Sequence, residues 1–126
     1  MNRVAQLAGV DIVEISRLRK LVDRYGEKFL DRIFTARETD YCLSKKNYAQ
    51  HFAARFAVKE AVVKAASSVL KLYYRQIEVL NDAEGQPQVR LQDTEKPSDL
   101  NISVSISHAG DYAIALAVVQ VEQAAG

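Results

Sequence analysis

The stretch that most limits the fold is residues 47–67, NYAQHFAARFAVKEAVVKAAS. No Gly or Pro interrupts it, and Asn47 stands where a helix N-cap belongs, so the spacing predicts one long helix ending near Ser67. At helical spacing Phe52, Phe56 and Val63 fall close to one another. Ala53, Ala54, Ala57, Val58, Ala61 and Val62 spread over much of the remaining circumference. A helix that is apolar almost all the way round is buried on most sides. The rest of the chain must therefore cover it, and 126 residues suffice to build such a core.

The charges on this helix have no face of their own. Glu60 and Lys64 share a stripe with Ala53 and Ala57, and Arg55 and Lys59 share another. A carboxylate taken out of water must be paired, hydrogen-bonded or metal-bound, because desolvating it alone is costly. One reading makes Glu60 and Lys64 a surface ion pair one turn apart, worth about 0.3–0.5 kcal/mol. The other makes them the wall of a cleft, where the small Ala53 and Ala57 leave room for a ligand.

Around this helix the chain is predicted to place three shorter helices and a set of strands. Residues 4–14 read as a first strand containing Gly9. Ser16 is a candidate cap for a helix through Tyr25, closed by Gly26, and EKFLDRIF is a second helical piece. Thr35-Ala-Arg-Glu38 is a capping box that opens a third, through about Ser44. Beyond the long helix the period changes to two: residues 76–80, 88–92 and 102–107 alternate, and 112–119 form an apolar run. NDAEGQP, TEKPSD and Ala109-Gly110-Asp111 are the turns between them. The expected class is α+β, a largely antiparallel sheet packed against one long buried helix and shorter helices, in a single domain over 1–126.

Asp11 interrupts the apolar Val10, Ile12 and Val13 of the first strand, where aspartate is disfavoured. It points away from the face of Val10 and Ile12. It is either a solvent-facing carboxylate or a ligand for a hard cation. Magnesium is commonly held by one or two carboxylates, with water and phosphate oxygens completing its shell. Asp11 with Glu60 would suffice, and Arg55, Lys59 and Lys64 would suit a phosphate-bearing ligand. His108 ends the Ser103, Ser105, Ser107 strand beside a turn; it is a turn residue or a side chain exposed at the sheet rim.

Other classes are excluded. A net charge of +1 gives no bulk attraction to nucleic acid. The first apolar run is broken by Gln6, Asp11 and Glu14, so it is neither a signal peptide nor a membrane span. A single cysteine, Cys42, makes an internal disulfide impossible and fits a reducing, cytoplasmic setting. No zinc spacing, serine-nucleophile motif or P-loop is present.

GVDIVEISR, FTARE, FAARFAVKEAVVKA, IEVLNDAEGQPQV and VSISHAGDYAIALAVV, in that order, resemble the holo-acyl-carrier-protein synthases, the small single-domain group of 4′-phosphopantetheinyl transferases. The resemblance runs over roughly residues 7–120. It implies an enzyme of fatty-acid and lipid biosynthesis that moves the phosphopantetheine arm of coenzyme A to a serine of apo acyl carrier protein, releasing 3′,5′-ADP. It further implies Asp11 and Glu60 as magnesium ligands, with Lys64 beside them. Arg17, Arg55, Lys64 and His108 match positions that touch coenzyme A phosphates or the carrier. It also implies a homotrimer with each active site between two subunits. Arg17, Lys20 and Arg24 form one stripe of the first helix, and of these Arg17 and Arg24 are expected to meet an acidic carrier.

One departure matters. Relatives usually follow Lys-Ala with a glycine-containing G-T-G loop against the coenzyme phosphates, whereas here AASSVLKLYYRQIEV follows Lys64. Ser67 and Ser68 are candidates to donate hydroxyls in its place. The missing glycines keep a second reading open, a non-catalytic homologue that binds carrier protein or coenzyme A.

Overall fold

The structure, a computed structural model, describes residues 2–124. The order of elements is β1 (Asn2–Glu14), α1 (Ile15–Tyr25), α2 (Glu27–Ile33), α3 (Ala36–Leu43), α4 (Tyr48–Ala66), a 3-10 turn (Tyr74–Gln76), β2 (Ile77–Asn81), β3 (Pro87–Leu91), β4 (Asn101–Ala109) and β5 (Tyr112–Ala124). The α+β class is as expected, but the strands do not join into one sheet. β1, β5 and β4 form a three-stranded antiparallel sheet in that order, and β2 and β3 form a separate antiparallel hairpin. The connection through 92–100, with Pro97 and a positive φ at Asp93, carries the chain out of the hairpin.

The long helix α4 lies on the inner face of the larger sheet. Its residues Phe52, Ala53, Ala57, Val58, Ala61 and Val62 are fully buried. Facing them on β5 are Ala113, Ala115, Ala117 and Val119, also buried. Small residues on both sides let helix and sheet approach closely. The limit is reached at Gly9 of β1, where an added Cβ would stand 2.2 Å from the Ala61 carbonyl oxygen and 2.9 Å from the Ala65 nitrogen. No side chain fits there, which explains a glycine in mid-strand.

The caps differ in their outcome. Thr35 and Glu38 form the expected capping box: Thr35 Oγ1 accepts from Glu38 N, and Glu38 Oε1 accepts from Thr35 N at 2.9 Å. Asn47 occupies the N-cap position of α4 without a side-chain cap bond. Ser16 is not the cap of α1: the helix begins at Ile15, and its N-cap position is Glu14, two residues earlier. The first turn is instead held by Asp111, from the β4–β5 turn. Its carbonyl accepts from Ile15 N at 2.7 Å, and its carboxylate accepts from Ser16 N at 3.0 Å and Ser16 Oγ at 2.5 Å.

Lys59 corrects the sequence reading. It does not reach a ligand; it is fully buried and ion-paired with Glu38 at 2.8 Å. Its ammonium also donates to the Tyr74 carbonyl at 2.9 Å and to the Ile77 carbonyl. Glu38 Oε2 accepts from Val79 N at 2.9 Å, so the buried pair ties α3, α4 and the β2 hairpin together with its oxygens satisfied. Burial of Cys42 against this core pushes its thiol up to about 12.

Candidate active site

β1 and α4 bring Asp11 and Glu60 to one cleft of about 410 Å³, lined also by Glu14, Arg17, Leu21, Phe29 and Phe56. The side chain of Asp11 faces inward, towards α4. It is Val10 and Ile12, on the other face of the strand, that are exposed, at 57% and 59%. The Glu60–Lys64 ion pair, one of the two readings of this stripe, does not form. Lys64 Nζ pairs with Asp11 Oδ1 at 3.0 Å and donates to the Val10 carbonyl at 3.1 Å. Glu60 Oε1 accepts from the hydroxyl of Tyr74. That hydrogen bond, ahead of burial, raises the Tyr74 phenol to about 12.

Among the described residues no cluster of three or more His, Cys, Asp or Glu is positioned to hold a metal. Two carboxylates from separate elements, sharing one cleft, make a donor set that does not suit zinc. They do suit magnesium, which keeps several waters and takes further oxygens from phosphate.

Arg17 lies in the same cleft as Asp11 and Glu60. Arg24 does not line it: in the last turn of α1, its guanidinium sits 5.3 Å from the centre of the Tyr25 ring. Sequence reading passed over Lys28 and Arg32, which line a neighbouring groove that shares Leu21 and Phe29 with the cleft. Basic residues at one-turn spacing on a short helix were the available signal.

Arg55 and His108 are brought together, but in a different cavity of about 410 Å³, lined as well by Tyr41, His51, Asn81 and Gln86. Arg55 is buried, stacks 4.4 Å from the Tyr41 ring centre, and leaves its Nε without a hydrogen-bond partner. His51, given only a structural role from sequence, sits beside them. Burial first, then the positive charges of Arg55 and Lys45, hold its pKa below the ordinary histidine value.

The segment after Lys64 takes a definite form without glycine. α4 runs to Ala66, and Ser67 continues in helical conformation, its hydroxyl donating to the Lys64 carbonyl at 3.0 Å. The Ser67 proton is therefore engaged in closing the helix. Tyr74, which sequence reading did not single out, fills the space beside Glu60.

Residues 8–117 match the family described as the 4′-phosphopantetheinyl transferase superfamily. The chain belongs to that superfamily. Within it, the chain falls in the holo-[acyl-carrier-protein] synthase group. It is 46% identical over 121 residues to the holo-[acyl-carrier-protein] synthase of Chlorobium limicola, covering 94% of this chain and 96% of that one. The fold agrees with solved members of the group. The acyl-carrier-protein synthase–CoA complex of Chronobacterium ammoniagenes superposes with a TM-score of 0.80 at 30% identity, covering 94% and 99% of the two chains. The Bacillus anthracis holo-(acyl-carrier-protein) synthase in complex with CoA (3′,5′-ADP) gives 0.78 at 31% identity, covering 93% and 99%. The phosphopantetheinyl transferase fold expected from sequence is thus the fold of this chain.

Proposed function

We propose that this chain is a holo-[acyl-carrier-protein] synthase, transferring 4′-phosphopantetheine from coenzyme A to a serine of an apo acyl carrier protein and releasing 3′,5′-ADP. The observation that carries the reading is the convergence of Asp11 from β1 and Glu60 from α4 on one cleft, within a chain of this family. The Asp11, Glu60 and Lys64 set is complete, which favours transfer over a homologue that only binds carrier or coenzyme.

The residues divide the chemistry as follows. Asp11 and Glu60 would hold Mg²⁺, which when bound neutralises charge on the pyrophosphate oxygens. Lys64, now on Asp11, adds a second positive charge for the departing phosphate. The carrier serine oxygen bonds to the β-phosphorus as the pyrophosphate P–O bond breaks, and 3′,5′-ADP leaves. The serine proton passes to Glu60 or to water in the cleft. Arg17 meets acidic groups of the carrier at the mouth of the same cleft. Arg24, further along α1, would add a peripheral contact.

Arg55 and His108 are assigned to coenzyme phosphates, and their separate cavity supports a site completed by a second subunit. The outer sheet face supports the same assembly. Val10, Ile12 and Leu116 are exposed there, a contiguous apolar patch because Val10 pairs with Leu116 and Ile12 with Ile114 in register, and the exposed Tyr112, opposite Glu14, stands at its end. A homotrimer would cover it. No helix among the described residues is long and apolar enough to cross a membrane.

The test is direct. The chain, coenzyme A, Mg²⁺ and apo acyl carrier protein are incubated, and intact-mass spectrometry follows the carrier. The expected result is a gain of one phosphopantetheine, blocked by EDTA and by replacing the carrier serine with alanine. Binding of carrier without any mass gain would contradict the assignment.

A further inference from the structure

Tyr74 is anchored more firmly than a residue in a connecting segment needs to be. Its carbonyl accepts from Lys59, the cation of the buried Glu38 pair, at 2.9 Å. Its ring stands edge-on to Phe56 with centroids 5.5 Å apart. Its hydroxyl donates to Glu60 Oε1, one turn of α4 beyond Phe56. Backbone, ring and hydroxyl are thus each fixed, the first by the core and the other two by one face of α4. Packing accounts for the ring, and a phenylalanine would supply it equally. Only the hydroxyl is left over, and among the described residues its hydrogen-bond partner is the carboxylate that lines the cleft with Asp11.

We propose that Tyr74 is a positioning residue that locks the Glu60 carboxylate in place, so that the oxygen not engaged by the phenol is presented to the divalent cation. The inference rests on the reading of Glu60 as a metal ligand. A free glutamate side chain has rotamer entropy to lose on being fixed. A carboxylate already held by a core-anchored donor loses less of it when the cation binds. Hydrogen-bond partners of metal ligands are typically worth about 10–100-fold in metal affinity or activity. The segment that lacks the glycines of its relatives would therefore contribute to the metal half of the site.

The test uses Mn²⁺ as probe, with free ion measured by electron paramagnetic resonance on the full chain without coenzyme A. Tyr74→Phe is expected to weaken Mn²⁺ binding by about tenfold, with a thermal midpoint near that of the parent. In the transfer assay its requirement for Mg²⁺ should rise while turnover recovers at saturating metal. Tyr73→Phe, an exposed ring one residue earlier, is expected to change neither. Mn²⁺ affinity unchanged in Tyr74→Phe but lost in Glu60→Gln would overturn the proposal and leave Tyr74 as packing. Affinity unchanged in Glu60→Gln would remove the ligand reading, and the Tyr74 inference with it.

Discussion

Lys64 Nζ lies 3.0 Å from Asp11 Oδ1, joining residues 53 positions apart and tying the end of α4 to the middle of β1. The Lys64 side chain is half exposed, so the pair is a weak one, worth about 0–1 kcal/mol. It keeps the inward-facing carboxylate compensated while the ammonium remains free to turn to a phosphate. Lys64→Met should have two opposite effects. Divalent affinity without coenzyme A should rise by up to about fivefold, the equivalent of about 1 kcal/mol. Turnover should fall by at least tenfold, about 1.4 kcal/mol of barrier. Mn²⁺ titration and steady-state transfer kinetics read the two separately; a fall in both would show that Lys64 helps hold the metal.

Gly9 sets the distance between the two carboxylate-bearing elements. A methyl at this position meets backbone rather than a side chain that can move aside, 2.2 Å from Ala61 O. Gly9→Ala must push β1 off α4, and Asp11 is two residues away. Overpacking of this kind costs about 1–3 kcal/mol. Chemical denaturation should show that loss, and Mn²⁺ affinity should drop alongside it. A fully stable Gly9→Ala variant would show that β1 and α4 are not held at this separation.

Much of this arrangement was legible in the sequence, and what was missed has a physical pattern. The buried α4, the Thr35–Glu38 capping box and the odd Asp11 were readable because local spacing encodes them. The partners were not. Ser16 looks like a cap, yet Asp111 holds that helix end from the far side of the chain. Lys59 looks like a ligand for phosphate, yet Glu38 claims it in the core. Glu60 and Lys64 have ideal spacing for each other, yet Tyr74 and Asp11 take them. In each case a tertiary contact overrode a local one. Gly9 carried a signal of its own, since a lone glycine inside a strand often marks a close approach of backbone.

Arg17 lines the cleft shared by Asp11 and Glu60, whereas Arg24 lies beyond it on Tyr25. Arg17→Glu should therefore raise the apparent KM for carrier about tenfold, or 1.4 kcal/mol, and leave the KM for coenzyme A nearly unchanged. Arg24→Glu should have a smaller effect. Carrier KM for the parent should climb with salt, because such contacts are screened over about 8–10 Å at ordinary ionic strength. A salt-insensitive KM, with Arg17→Glu behaving as the parent, would place the carrier elsewhere.

The division of Glu60 and His108 between two cavities predicts complementation. Glu60→Gln and His108→Asp should each be inactive alone. Co-expressed in one assembly, some interfaces would pair an intact Glu60 with an intact His108, and part of the activity should return. Light scattering should give a trimer. An active monomer, or no recovery in mixed assemblies, would rule out a shared site.

Asp11 and Glu60 are proposed to act together as the metal half of a transferase. The measurement that bears on this most directly is phosphopantetheine transfer at limiting Mg²⁺ by Asp11→Asn and Glu60→Gln, both nearly isosteric with the parent residues. With folding verified by circular dichroism, each variant is expected to lose transfer by at least about a hundredfold, roughly 2.7 kcal/mol of barrier. Near-parental turnover by either folded variant at limiting metal would contradict the assignment of that residue and, with it, the two-carboxylate site.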